Sequence, residues 1–239
     1  MNKINEIFLI ITAILVCLWI SMVSDAQERI KVLVIDTGVD TSHKEIKSHV
    51  KEPWDLNYLD DNGHGTAIAG LILKETCNQI ELVSCRYYFP WDRNYIEPSN
   101  NCFRRALNEN INYINYSSTG EESNEKEKEL IKSLTDKGVI ITVAAGNQSK
   151  NLTQTGECKG AFPACYLFPN LFVVQNIDKN EKLDYRSNYL THPNARSEMG
   201  VDVPVLLPKN QVGKLTGTSI SAAKYMNSLL LKRCWELNK

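Results

Sequence analysis

The stretch Arg29–Gly38, RIKVLVIDTG, carries the strongest structural signal in the chain. Ile30 to Ile35 (IKVLVI) is a short aliphatic, β-branched run of the kind that a parallel sheet covers on both faces. A carboxylate, Asp36, follows it directly, and Thr37-Gly38 turns the chain. Comparable runs recur at Ile80 to Val83, Ile111 to Tyr116, Val139 to Ala144 (VIITVA) and Leu171 to Gln175. Segments with helical spacing lie between them. Cys102 to Asn112 places Phe103, Ala106, Leu107 and Ile111 on one face. Glu125 to Lys137 turns Leu130, Ile131 and Leu134 inward and is closed by Gly138. A last helix opens at Gly217 and runs through Tyr225, Met226, Leu229 and Leu230. Strand, helix, strand in this order predicts an α/β fold, a three-layer sandwich whose mostly parallel central sheet carries helices on both faces. The mixed charges of Glu121 to Glu129 are expected on a solvated helix face.

The chain has 239 residues, 43% apolar and 23% charged, enough for one globular domain with a real core. A net charge of −1 provides no electrostatic footprint for nucleic acid or an anionic membrane surface. At the N-terminus, Lys3 precedes an apolar run from Ile7 to about Val23, and Ser24-Asp25-Ala26 follows. This pattern predicts a secretory signal over residues 1–26, cleaved after Ala26, with an uncleaved membrane anchor as the alternative. The domain then occupies residues 27–239, secreted or membrane-anchored. Cys17 lies in the apolar run, so six cysteines remain, an even number that suits disulfides in an exported domain. Six allow fifteen connectivities. Only Cys158 with Cys165 is singled out by proximity, and free buried thiols are the alternative. No Cys-x-x-Cys spacing suggests zinc.

Three polar constellations fall where catalytic groups collect in such sheets. Asp36-Thr37-Gly38 ends the first strand, where a carboxylate is held rigidly enough to orient an imidazole. An aspartic peptidase would need a second such motif, and none is present. His64 sits between Gly63 and Gly65, ahead of the small-residue run Thr66-Ala67-Ile68-Ala69-Gly70, so a substrate could approach the ring closely. Gly217-Thr218-Ser219 opens the last helix, whose N-terminal amides favour developing negative charge. Taken alone, Thr218 or Ser219 could equally be only a helix cap.

Together, the Asp-Thr-Gly, His-Gly-Thr and Gly-Thr-Ser segments, in that order, resemble the subtilisin-like serine peptidases, the subtilases. Ala144-Ala145-Gly146-Asn147 resembles the family's oxyanion segment, and Ile114 to Gly120 its substrate-binding strand. Phe162-Pro163-Ala164 and Tyr185-Arg186-Ser187-Asn188 resemble weaker landmarks. The resemblance implies a serine endopeptidase with Ser219 as nucleophile, His64 as general base and Asp36 orienting the histidine. It implies Asn147 as oxyanion donor and Ser117, Ser118, Thr119 and Gly120 as the segment that pairs with an extended polypeptide substrate. No metal ligand or cofactor is expected; calcium is possible, without an identifiable site.

Several features depart from the family pattern. Ala223 stands where a proline is usual. The stretch from Gln27 to Asp36 leaves no room for an amino-terminal propeptide, and only Ile220 to Lys239 follow Ser219. A minimal member of the family is therefore expected, with disulfides making up for lost stability. A catalytically silent, peptide-binding relative is the alternative. Asn115-Tyr116-Ser117, Asn147-Gln148-Ser149 and Asn151-Leu152-Thr153 match the glycosylation pattern and are read as coincidence, because two of them fall in the expected site. A metallopeptidase would need a His-Glu-x-x-His motif, which is missing.

Overall fold

A computed structural model describes residues 29–50, 54, 60–89 and 94–239; the expected signal or anchor lies outside them. Six strands form one parallel sheet: β1 (Ile30–Asp36), β2 (Ile80–Arg86), β3 (Tyr113–Tyr116), β4 (Ile140–Ala144), β5 (Leu171–Ile177) and β6 (Ala195–Met199), in the order β2-β1-β3-β4-β5-β6. The two-residue period of β1 divides its side chains between two cores. Leu33 and Ile35 join Phe103, Ile131 and Leu134 on one face. Val32 and Val34 join Ile68, Ile72, Ala223 and Met226 on the other. The first core is covered by α2 (Ile96–Ala106) and α3 (Glu125–Asp136), the second by α1 (His64–Leu73) and α4 (Thr218–Leu237). This is the expected three-layer α/β arrangement.

Three local expectations are corrected. The helix expected over Cys102 to Asn112 instead spans Ile96–Ala106. Pro98 is tolerated because it lies in the first turn, and the asparagines after Ala106 turn to other partners. Asn108 Nδ2 donates back to the Arg104 carbonyl, and Asn112 Oδ1 accepts from Lys31 N on β1. Glu127 is not on a solvated face: it is 2% exposed, on the same stripe as Leu130, Ile131 and Leu134. Beyond the strands read from the sequence, the edge strand β6 and the antiparallel hairpin of β7 (Val203–Leu207) and β8 (Gln211–Leu215) complete the structure. β6, ARSEM, is only partly buried and has no apolar alternation to announce it.

The six cysteines among the described residues form three disulfides: Cys77–Cys234, Cys85–Cys102 and Cys158–Cys165. The expected Cys158–Cys165 pair is thus present. Cys85–Cys102 ties α2 to β2, and Cys77–Cys234 ties the chain just beyond α1 to the last turns of α4. The latter closes a sequence separation of 157 residues, the largest of the three. Replacing Cys77 and Cys234 with serine is expected to destabilise the protein by about 2–5 kcal/mol, because the long loop regains freedom when unfolded. Denaturant melts of the double variant and of the parent, with and without reductant, measure this. Coincident midpoints would show that the bond contributes nothing.

Candidate active site

The carboxyl ends of β1, β3 and β4, adjacent in the sheet, carry the expected residues. Asp36 ends β1 and is buried. Its Oδ1 accepts from Thr37 N at 2.8 Å and from His64 Nδ1 at 2.7 Å. An imidazole that donates from Nδ1 keeps its Nε2 lone pair available, so this hydrogen bond selects the tautomer suited to a base. His64 is the first residue of α1, and its side chain is 30% exposed.

Small residues permit this contact. A Cβ on Gly65 would overlap the Gly38 carbonyl, so α1 could not otherwise begin so close to the turn after β1. Asp60, which sequence reasoning missed, holds that start in place. Its Oδ1 accepts from Thr37 Oγ1 at 2.7 Å and Gly63 N at 2.8 Å, and its Oδ2 from Thr66 N at 2.8 Å and Thr66 Oγ1 at 2.7 Å. Thr37 Oγ1 also accepts from Gly65 N at 3.0 Å. The available signal was an aspartate four residues before a histidine flanked by glycines.

α4 brings the second half. Gly217 is its N-cap, so neither Thr218 nor Ser219 serves as the cap. Thr218 reaches across to β4: its Oγ1 accepts from Gly146 N at 3.1 Å, and its N and Oγ1 donate to Asn147 Oδ1 at 3.0 and 3.1 Å. Gly146 has φ +99°, and a Cβ there would collide with Asn188. Asn147 is exposed, with Oδ1 engaged by Thr218. Ser219 is half-buried at the start of α4, on the same face of the sheet as α1. Among the described residues its Oγ forms no hydrogen bond, so Ser219 and His64 are not joined in this structure.

Ser117 to Gly120 continue from β3. Ser117 Oγ accepts from Asn115 Nδ2 at 2.9 Å. Gly120 and Phe162 exchange backbone hydrogen bonds of 2.8 Å in both directions, which sets the Ala161–Tyr166 segment beside this one. Asn115 is fully buried, so its glycosylation pattern is indeed unusable. Among the described residues no group of three or more His, Cys, Asp or Glu could hold a metal ion, and no helix is long and apolar enough to cross a membrane.

The subtilase family model matches residues 27–229. The chain belongs to the subtilase family. Its class is therefore that of the subtilisin-like serine endopeptidases. It is 27% identical over 241 residues to the major intracellular serine protease of Bacillus subtilis, covering 87% of this chain and 70% of that protein. It is 28% identical over 220 residues to subtilisin E of Bacillus subtilis, covering 80% of this chain and 52% of that protein. The chain thus spans about half the length of several relatives, among them subtilisin-like protease 6 of Arthroderma benhamiae, at 50%. Its fold matches the nisin leader peptidase NisP of Lactococcus lactis with a TM-score of 0.73 at 17% identity, covering 87% of this chain and 78% of that one. The self-cleaved protease domain of PatA gives 0.71 at 20% identity, covering 89% and 83%.

Burial lowers the His64 pKa, but the charge of Asp36, its hydrogen bond and the more distant Asp60 override this and leave it above 6.5. The ion pair accordingly stabilises the fold below the unfolded value of 6.5, and that contribution is lost as pH rises through the higher folded value. An NMR titration of the His64 ring should give a midpoint above 6.5, and Asp36→Asn should move it down. A midpoint unaffected by Asp36→Asn would contradict the pairing.

Proposed function

We propose that this subtilase is an exported endopeptidase that cleaves polypeptides through an acyl-enzyme on Ser219. The observation that carries the proposal is the 2.7 Å bond from His64 to the buried Asp36 at the carboxyl edge of the sheet. His64 Nε2 takes the Ser219 proton as Oγ attacks the scissile carbonyl, then gives it to the leaving amine. Asp36 holds the tautomer and stabilises the imidazolium. The oxyanion is met by Asn147 Nδ2, since Thr218 occupies Oδ1, and by the Ser219 amide at the start of α4. The His64–Ser219 hydrogen bond closes when substrate binds, as catalytic hydrogen bonds often tighten only in the complex. The polypeptide lies extended along Ser117 to Gly120. Water then releases the acyl group. No step involves a metal.

Export is supported by the three disulfides, which persist in oxidising compartments. One relative is, by name, intracellular, so the compartment rests on this chain's own cysteines and N-terminal pattern. A second reading, a silent peptide-binding relative, draws on the unjoined Ser219 and His64.

A fluorophosphonate should label the wild type at Ser219 and leave Ser219→Ala unmodified; folded wild type that resists labelling but binds peptide favours the silent reading. Asp36→Asn should lower kcat by about 10⁴ with the fold intact. Because only neutral His64 accepts a proton, kcat/KM should fall on acidification with a midpoint above 6.5.

A further inference from the structure

Glu127 is a buried acid that the catalytic scheme does not use. It is the third residue of α3, whose N-cap Asn124 accepts the Glu127 amide at 2.9 Å. In the usual reciprocal cap the acid would return to the Asn124 amide. Here Tyr166 takes that place: its hydroxyl accepts from Asn124 N at 3.1 Å and lies 2.9 Å from Glu127 Oε2 as donor. Tyr116 lies close enough for its phenol to act on the same carboxylate. Burial raises the Glu127 pKa, while the Tyr166 and Tyr116 phenols act to lower it. Among the described residues no cation pairs with it.

The two phenols belong to two adjacent segments, one of which leads into the expected substrate-binding stretch. Tyr116 ends β3, directly before Ser117 to Gly120. Tyr166 closes the short turn Ala164–Tyr166 after Phe162, the residue paired with Gly120. Its ring is tilted 43° from that of Phe162, with the centroids 5.2 Å apart. Glu127 thus adds, through the Tyr166 hydroxyl, to the contacts that join the two segments: the Gly120–Phe162 backbone pair and the bonds of that hydroxyl to Asn124 N and O.

We propose that Glu127 is a positioning residue for substrate binding, holding the Ala161–Tyr166 wall beside the Ser117–Gly120 wall through the Tyr166 hydroxyl. The inference rests on the peptidase reading and on those segments receiving the peptide. The carboxylate touches no reacting atom. Without it, the phenol keeps only the Asn124 carbonyl, 3.1 Å away, as acceptor and the turn loses its side-chain anchor on α3, while the surroundings of Asp36, His64 and Ser219 are untouched.

The test compares wild type, Glu127→Gln, Glu127→Leu and Tyr166→Phe on an extended peptide p-nitroanilide and on a small alkyl fluorophosphonate, which needs Ser219 and His64 but not the walls. Glu127→Leu should raise KM about tenfold, the scale of one lost charge-assisted hydrogen bond, with kcat within about threefold. Its labelling rate should match wild type, and Glu127→Gln, which retains an acceptor oxygen, should recover most of the KM. Unchanged KM in Glu127→Leu overturns the inference, as does a parallel loss of KM, kcat and labelling. Should Glu127→Leu fail to fold, Tyr166→Phe decides: a raised KM with normal labelling supports the inference, and an unchanged KM overturns it. If wild type itself is not labelled, the peptidase reading fails, and this inference with it.

Discussion

The near-contact of two backbones, the turn after β1 and the first turn of α1, is the constraint on which the site depends. Asp36 and His64 can share a 2.7 Å hydrogen bond because Gly65 presents no side chain to the Gly38 carbonyl. Asp60 then supplies acceptors to Thr37, Gly63 and Thr66, so the donors crowded into this corner are paired. Burying carboxylates is costly unless they are hydrogen-bonded. Asp36 and Asp60 meet that condition by accepting from the same short stretches that carry the imidazole. The arrangement is rigid because none of its parts can move alone.

The second half of the site is attached by a different device. Thr218 binds both Gly146 and Asn147, which docks the start of α4 on the end of β4. α4 also packs on α1 in one core with Val32, Val34 and Ile68. The helix that carries Ser219 in its first turn and the helix that begins at His64 are therefore referenced to the same sheet face. The Cys77–Cys234 bond secures their far ends. Relatives of this chain, from subtilisin E to the major intracellular serine protease, share the family while differing from it in some three quarters of aligned positions. Such tolerance is consistent with a site held by a few backbone contacts and small residues rather than by the identity of the surrounding core.

The parts legible in the sequence were those whose signal is local. IKVLVI and VIITVA announce buried strands, and Asp36, His64, Asn147 and Ser219 each stand in short motifs of small residues. β6 was not legible because ARSEM is a partly exposed edge strand without alternation. The hairpin of β7 and β8 was missed because Pro204 and a mostly exposed β8 obscure its pattern. α2 was displaced because its Asn-rich end competes with the helix for hydrogen bonds, and its proline start is allowed only in a first turn.

By itself the sequence determined the parallel α/β order and set the short Asp-Thr-Gly, His-Gly-Thr and Gly-Thr-Ser motifs apart, because periodicity and short-range chemistry do not depend on distant partners. Only the tertiary structure decided which of fifteen disulfide patterns forms, that Asp60 braces the histidine and that Glu127 turns inward. Each of those choices is settled by groups from remote parts of the chain. A buried acid such as Glu127 looks like any surface glutamate until the fold supplies Tyr166, thirty-nine residues away, as its donor.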